Sequence, residues 1–502
     1  MKELANLAKI VTLRQSKRRS LLNLASEQPG KEEKLILTLV DNPKITDIQV
    51  AKLLYGSNTE ANRTALRQLR GRVQDKLLNH LLFLDHSDPR FFVARRYELE
   101  CLDLLHKLTI LALEGEHQLS ERLAKRCLRL AQDGEFTSYA EQAAQRLRIL
   151  YAERGEQSEY LLIDKELHRL RQVLEWEREA EQISLEVRLN MVKTVTKRHD
   201  ILTKVPAYLD RLATLYEQAG SFDTFVALYR LQLVYAELVG KYDDIIYYTE
   251  QADKLLEEGK LNPRRFDNRF NHFMSVYAHL RGRQAVKGLR LADEYAQEIH
   301  PTSSNWFFFY EHFLLLALHA ASYEKASLLL HVVQKNPSFA KQRPAALARW
   351  ELLEAYVELL QPASQVAPQQ RNRMALFAAL TVPEYTRDKR GHNVAILVFQ
   401  LLHYLQQRNL EPVLARLERL RKYQQRHLRD AAALRSRTFL RMLLLLPEAD
   451  FDLAELTRRG SKLLAQLRQA PLVGEAEAEI EIVPYEELWK FTLGVLQQGA
   501  PG

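Results

Sequence analysis

Cysteine is almost absent from the 502-residue chain, and glycine and proline are scarce. Cys101 and Cys127 are the only two cysteines, too few for a disulfide framework, so a reducing compartment, the cytoplasm, is predicted. Gly and Pro number 17 and 16, below their average usage of about 7% and 5%. Because sheet-rich proteins need many turns, this scarcity favours long helices with short connections.

Long uninterrupted apolar runs are also missing. Charged residues interrupt the first 20 positions before an apolar core of adequate length forms, so no signal peptide is expected. The most apolar stretch, Trp306 to Ala321, contains Glu311 and His312 and falls short of the roughly 18–20 clean residues that a membrane span needs. No membrane association is therefore predicted.

The sequence lacks the common motifs of enzymes. Dinucleotide, phosphate-loop, His-Glu-x-x-His and Gly-x-Ser-x-Gly patterns do not occur. Glu114 and His117 form one Glu-x-x-His pair, but a di-iron site needs two pairs, and Gly115 indicates a turn. We therefore predict that the protein is not an enzyme, with no catalytic, cofactor-binding or metal-binding residue and no cofactor.

What the chain does contain is helical periodicity. Apolar residues recur three and four apart, as at Ile163, Leu167 and Leu170, and breaks at Gly or Pro separate segments of helix length. The length exceeds the usual limit of roughly 250–300 residues for a single core, so a repeat array is expected. Strand-like alternation occurs only at 477–483, where a loop is an equal alternative.

Three segments align as internal repeats, spaced by 40 and then 41 residues. They begin at Tyr242, Gly282 and Tyr323. Small residues at fixed positions allow close helix approach, and large ones fill the groove between successive pairs. The aligned columns are Leu233, Phe273, Leu314; Ala236, Val276, Ala317; Ile245, Ala285, Ala326; Thr249, Leu289, Leu330; and Ala252, Ala292, Val333.

These columns resemble the packing positions of tetratricopeptide-like repeats, and Pro337 lies near that family's terminal proline. The unit here is longer than the family's roughly 34 residues, and Gly282 replaces an aromatic. The resemblance implies an all-α fold, a right-handed α-solenoid of hairpins of about 40 residues over 86–502, clearest at 205–360. It also implies a protein or peptide ligand on the concave face.

Residues 1–85 carry a net charge of +6 and predict a separate basic domain of helices. Three helices are predicted between residues 32 and 84. Two capping-box patterns, Thr46 with Gln49 and Ser57 with Glu60, mark the starts of the second and third helices.

The stretch 46–73 resembles a bacterial helix-turn-helix, with Ala51 where the helices cross. Leu53, Leu54, Leu66 and Leu69 would then be core. The resemblance implies DNA binding by the third helix. The implied contacts, to bases or to the phosphate backbone, are Lys17, Arg18, Arg19, Asn62, Arg63, Arg67, Arg70 and Arg72. The alternative is a helical cap on the solenoid or a protein-docking module.

A second basic region, 406–441, carries a net charge of +7. It predicts a patch for an acidic partner, and a solvated helix face is the alternative. The patch residues are Arg416, Arg419, Arg421, Lys422, Arg426 and Arg429.

Two further features have alternative interpretations. The aromatic run Trp306–Tyr310 with Phe313 could bind a ligand, but its place at the start of a repeat's first helix favours core. The charge-rich region 157–200 predicts a long helix, either a solenoid face or a dimerising antiparallel pair, so a dimer stays open. The sequence favours a non-enzymatic interaction scaffold, with a transcriptional regulator as the alternative.

Overall fold

The structure is a computed structural model that describes residues 1–13, 29–81, 93–191, 195–361, 390–429, 433–472 and 481–497. Helices account for 84% of these residues and strands for none. The α-helices are α1 Lys2–Leu13, α2 Lys31–Asp41, α3 Asp47–Tyr55, α4 Glu60–His80, α5 Val93–Leu113, α6 His117–Asp133, α7 Thr137–Arg154, α8 Gln157–Met191, α9 Val195–Ala219, α10 Phe222–Val239, α11 Tyr242–Glu257, α12 Asn268–Arg281, α13 Ala285–Tyr295, α14 Ser304–His319, α15 Tyr323–Gln334, α16 Pro344–Leu360, α17 Arg390–Gln406, α18 Leu410–His427, α19 Leu434–Glu448, α20 Leu453–Gln469 and α21 Tyr485–Gln497. The all-α prediction is confirmed.

The chain divides into two compact units, Met1–Lys165 and Glu166–Gly502, and the division falls within α8. In the first unit, α1 to α4 share a hydrophobic cluster whose buried members all lie between Leu4 and Leu77. Consecutive helices from α5 to α7 pack as neighbours in the same unit. The helices α1–α4 therefore have a core of their own, as a small helical domain requires.

In the second unit, consecutive helices form hairpins whose turns repeat one geometry. The turns that follow α10, α12 and α14 each contain a residue with left-handed backbone. These residues are Gly240, Arg283 and Ala321, with φ of 76°, 60° and 54°. The amide of the next residue donates to a carbonyl five positions back, and the N–O distance is 2.8 Å in all three turns. This hydrogen bond closes the end of the first helix and starts the second.

Successive hairpins place like helices side by side. Between the first helices α10 and α12, Tyr277 donates to Glu237 at 2.7 Å. Between the second helices, Lys287 of α13 pairs with Glu250 of α11 at 3.0 Å. Most residues of the aligned repeat columns are buried, Val276, Ala292 and Ala317 among them. The periodic positions are therefore packing positions, as the alignment indicates.

The C-terminal part of the second unit folds back on earlier hairpins. Arg283, in the turn after α12, donates to the carbonyl of Ala470 at 3.1 Å. His319, at the end of α14, lies with Nε2 2.5 Å from the carbonyl oxygen of Glu481. A stack in which each pair touches only its sequence neighbours would lack these contacts, so the sequence repeat does not describe this closure.

Several local predictions can be compared with the structure. Helix ends lie at the predicted breaks Gly155, Gly220 and Gly240, and the charge-rich region contains the 35-residue helix α8. The described end of the strand-like segment, 481–483, is not a strand, and the rest of it lies outside the described residues. None of the described helices combines the length and apolarity needed to cross a membrane.

Candidate functional site

Of the two capping boxes predicted at the starts of α3 and α4, the structure has the first and differs at the second. Thr46 caps α3 as predicted: its Oγ1 accepts from the Gln49 amide, and Gln49 Oε1 accepts from the Thr46 amide at 2.9 Å. The predicted box at Ser57 is wrong, because α4 begins at Glu60 and Thr59 is its N-cap. The Ser57 hydroxyl instead accepts from the Asn62 side chain at 2.9 Å.

Most of the residues predicted to be core in the stretch 46–73 are buried or partly buried. Ala51, Leu66 and Leu69 are buried and Leu54 is half-buried. Leu53 is not core, because 63% of it is exposed. A position on a short helix faces the core only if the neighbouring helices cover it, and those at Leu53 do not.

The candidate nucleic-acid contacts on α4 differ in their present partners. Asn62 is engaged by Ser57, and Arg63 Nε donates to Asn58 Oδ1 at 3.0 Å. Arg67 is exposed and makes no hydrogen bond or ion pair with any described residue.

Two of the five predicted phosphate-backbone contacts, Arg70 and Arg72, pair with acids. Arg70 pairs with Asp47 at 2.9 Å and Arg72 with Glu32 at 3.4 Å, and each pair has one exposed and one partly exposed member. Lys17, Arg18 and Arg19 lie outside the described residues. Exposed pairs of this kind contribute little stability, so their arginines remain exchangeable with an outside anion.

The second basic patch lies on α18 and the turn after it. Arg419, Arg421, Lys422 and Arg426 are exposed. Arg416 is only partly exposed, and its guanidinium lies 5.2 Å from the Tyr404 ring centroid. Arg429 donates to the Gln425 carbonyl at 2.8 Å.

The aromatic run on α14 is mainly core, as favoured by its position. Trp306, Phe307, Phe309 and Phe313 are buried, and Trp306 stacks on Tyr310. Phe308 is the exception, because 59% of it is exposed.

Phe308 has exposed apolar counterparts on the preceding first helices. Phe270 of α12 is 41% exposed and Val234 of α10 is 36% exposed. In the repeat alignment, Phe308 occupies a position one helical turn before that of Phe270, and Val234 occupies a position one helical turn after it. Positions one turn apart lie on the same side of a helix, so all three side chains share a face. Sequence reasoning missed Val234 and Phe270, because an apolar residue off the buried stripe looks like core until its neighbours are known.

A partly buried polar network connects three helices of the second unit. Tyr229 donates to Asn271 Oδ1, and Asn271 Nδ2 donates to Asp253 Oδ1 at 2.6 Å. His272 lies with Nδ1 2.8 Å from Glu298 and stacks on Tyr295. Burial raises the pKa of Asp253, although His272 and Asn271 oppose it. The network is closed by its own hydrogen bonds, which is typical of structural polar groups.

Two glutamates hold a partly buried arginine near the C-terminal end. Arg435 makes paired hydrogen bonds with Glu481, at 2.5 and 2.9 Å, and with Glu486, at 3.0 and 2.8 Å. It also donates to the Leu467 carbonyl at 2.6 Å. Burial tends to raise the pKa of Glu486, but Arg435 outweighs it and holds that pKa below 4.5. These contacts join α19, α20 and α21.

Metal-binding side chains are not grouped together in the described part of the chain. No set of three or more His, Cys, Asp or Glu side chains there is placed to hold a metal. Glu114 lies in a turn, next to Gly115 with its positive φ, as the sequence indicates. Cys101 and Cys127 are free and buried, and their hydrogen bond, together with burial, raises the pKa of the Cys101 thiol.

Comparison with known proteins adds no further site. No protein-family model matches the chain, and no curated protein or solved structure matches it either.

Proposed function

We propose that this protein is a non-enzymatic interaction scaffold, a right-handed solenoid of tetratricopeptide-like hairpins that binds a protein or peptide on the face of its first helices. Successive first helices lie side by side, so side chains on their outer face form one surface. The observation that carries the proposal is the exposed apolar set Val234, Phe270 and Phe308 on that face. Exposed aromatic side chains are typical anchors of protein interfaces.

The test is an affinity purification from the source cells with three forms of the full chain. The first is wild type and the second carries Phe270→Ser and Phe308→Ser. The third is a matched control, Leu328→Ser and Val332→Ser, which changes two exposed aliphatic residues of α15, a second helix. We expect a protein retained by wild type and control to be lost with the phenylalanine variant. Identical protein sets from all three forms would contradict the proposal.

A second candidate function is DNA binding by α3 and α4. The capped turn, buried Ala51 and the exposed Arg67 on α4 favour it. Arg63→Glu with Arg67→Glu should abolish binding of the full chain to mixed duplex DNA at low salt, because the two changes reverse phosphate-contacting charges. Arg122→Glu with Arg129→Glu, two exposed arginines on α6, is the matched control. Wild-type protein that does not bind DNA at low salt would remove this candidate.

A further inference from the structure

One arginine on the face of the first helices has a charge that the chain around it does not neutralise. Arg230 of α10 is exposed and makes no hydrogen bond or ion pair with any described residue. The acids of α10, of the α12 N-cap and of α14 are all engaged by other residues. These pairs are Asp223 with Arg265, Glu237 with Tyr277, Asp267 with Arg269 and Glu311 with Arg349.

Arg230 lies at the same level as Phe270 of the next first helix. The hydrogen bond from Tyr277 of α12 to Glu237 of α10 shows that these two positions are level. Phe270 is seven residues before Tyr277, and Arg230 is seven residues before Glu237. Seven residues are close to two full turns, so Arg230 and Phe270 point to the same side as the bonded pair. The arginine and the phenylalanine are therefore neighbours across the first helices.

Phe308 continues this row on α14. The ring centroids of Phe273 and Tyr277 lie 5.2 and 5.7 Å from that of His312, so His312 is level with the middle of that pair. Phe308 is one helical turn before His312, and Phe270 is a little more than one turn before the same level on α12. The row therefore crosses three successive first helices, with the arginine at one end and the two exposed phenylalanines after it.

The spacing of the row favours one peptide conformation. Packed helices lie roughly 8–10 Å apart, so each step along the row covers about that distance. A polyproline II peptide presents the same side every three residues, which is about 9.3 Å. A β-strand does so every two residues, about 7 Å, and an α-helix every seven residues, about 10.5 Å. The three-residue repeat is the one that falls within the range.

We propose that the face of the first helices binds an extended acidic-apolar peptide. The carboxylate of this peptide contacts Arg230, and apolar side chains three and six positions away contact Phe270 and Phe308. The proposal rests on the scaffold function proposed above and names the chemistry of its ligand. The phenylalanines supply the apolar burial, and the arginine sets the direction and register of the peptide, because exposed charges contribute more to selectivity than to affinity.

Binding is measured by fluorescence anisotropy with the full chain and two labelled synthetic peptides. They are Glu-Pro-Pro-Leu-Pro-Pro-Leu and the same sequence reversed, because proline favours polyproline II and the direction of the ligand is open. We expect one of the two, the Glu peptide, to bind, and its counterpart with Lys in place of Glu to bind more weakly. Versions with one or three prolines between the anchors should also bind several-fold more weakly, since their side chains miss the row.

Charge reversal tests the arginine directly. Arg230→Glu should weaken binding of the Glu peptide by about fivefold or more, since an exposed ion pair becomes a repulsion, and should strengthen binding of the Lys peptide. Phe270→Ser with Phe308→Ser should weaken binding of both peptides. The matched control Arg290→Glu, an exposed change on the second helix α13, should leave both affinities unchanged. If Arg230→Glu unfolds the chain by circular dichroism, Arg230→Gln replaces it, and a loss of Glu-peptide affinity is again expected.

The outcomes separate this proposal from the scaffold function. Wild-type protein that binds neither peptide at about 1 mM, or Arg230→Glu with wild-type affinity for the Glu peptide, would overturn it. A cellular partner lost only with the phenylalanine variant would then leave the scaffold function standing. Tighter binding of a helical peptide with the same anchors seven residues apart would replace the extended ligand with a helix. Peptide binding that survives Phe270→Ser with Phe308→Ser would place the peptide elsewhere on the chain.

Discussion

The residue between paired helices adopts left-handed backbone at several turns, and only some of these residues are glycine. Non-glycine residues accept this conformation at a cost of roughly 1–2 kcal/mol, whereas glycine adopts it readily. At Arg283 the side chain has a role that glycine could not fill, because it donates to Ala470. The residue types at these turns therefore reflect tertiary contacts as well as backbone geometry. The positive-φ residues of the described chain are Gly56, Gly115, Glu135, Gly155, Gly220, Gly240, Gly259, Arg283, Ala321, Arg408, Asp450 and Phe451.

Two glycines allow the effect of backbone strain on stability to be measured without an effect of steric crowding. A Cβ added at Gly155 or at Gly71 would meet no atom within 4 Å, but Gly155 has a φ of 71° and Gly71 lies within α4. Gly155→Ala should destabilise the protein by about 1 kcal/mol, through strain alone. Gly71→Ala should stabilise it by about 0.5–1 kcal/mol, through helix propensity. Urea unfolding measures both, and effects of the same sign would contradict the assigned conformations.

Loss of the charge on Arg435 should be costly. Arg435→Met removes the hydrogen-bonded cation of the partly buried Glu481 and Glu486, and we expect a loss of about 3–5 kcal/mol at neutral pH. Arg441→Met, an exposed change on the same helix, should alter stability by less than about 0.5 kcal/mol. Urea unfolding of the two variants is the measurement, and similar losses would show that the buried pairs contribute little.

The same ion pairs predict how the free energy of unfolding changes with pH. Because Arg435 holds the pKa of folded Glu486 below its ordinary value of 4.5, the pair's stabilisation is fully present above pH 4.5 and is lost as pH falls below it. Wild-type unfolding free energy should therefore fall in acid. The penalty of Arg435→Met should shrink over the same interval, since a protonated glutamate needs no cation. A penalty constant from pH 7 to pH 4 would exclude this linkage.

At the scale of the element, the N-terminal helices show how a cap is chosen. Thr46 and Ser57 both stand before a helix and both have an acceptor-bearing residue three positions on. Only Thr46 has a helical amide within reach, because α4 begins after Thr59. The hydroxyl of Ser57 lies too early and meets the Asn62 side chain.

This difference gives a paired prediction for α3 and α4. Thr46→Ala should destabilise α3 by about 1 kcal/mol, because it removes the capping box. Ser57→Ala should cost less than about 0.5 kcal/mol, because it removes one exposed side-chain contact. Hydrogen exchange of the α3 amides reports the first change. Faster exchange in Ser57→Ala than in Thr46→Ala would reverse the assignment of the caps.

At the scale of the whole molecule, buried side chains group into separate hydrophobic clusters. One extends from Val276 to Trp489 and includes members of every described helix from α12 to α21. Another is confined to α1–α4. Hairpins that share a cluster stabilise one another, so their stability is cooperative within the cluster and independent outside it.

A single core truncation tests this division. Leu316 of α14 is fully buried and faces α13, where a Cβ on Gly288 would lie 2.8 Å from its side chain. Leu316→Ala should cost about 2–5 kcal/mol through the cavity it leaves. Hydrogen exchange should then speed up throughout α12–α21 and stay unchanged in α2–α4. Faster exchange limited to α14 and α15 would show that the hairpins are energetically separate.

The sequence by itself determined the helices, most of their ends and the repeat columns, because helical periodicity and the glycine and proline breaks are local properties of the chain. It also located both basic regions, since charge needs no fold to be counted. Only the tertiary structure decided that Leu53 and Phe308 are exposed to solvent. It also decided that the Arg416 guanidinium lies over the Tyr404 ring. Each of these depends on which neighbour covers one side of a helix. The same is true of the contact between Arg283 and Ala470, because residues 187 positions apart meet through packing that no local pattern records.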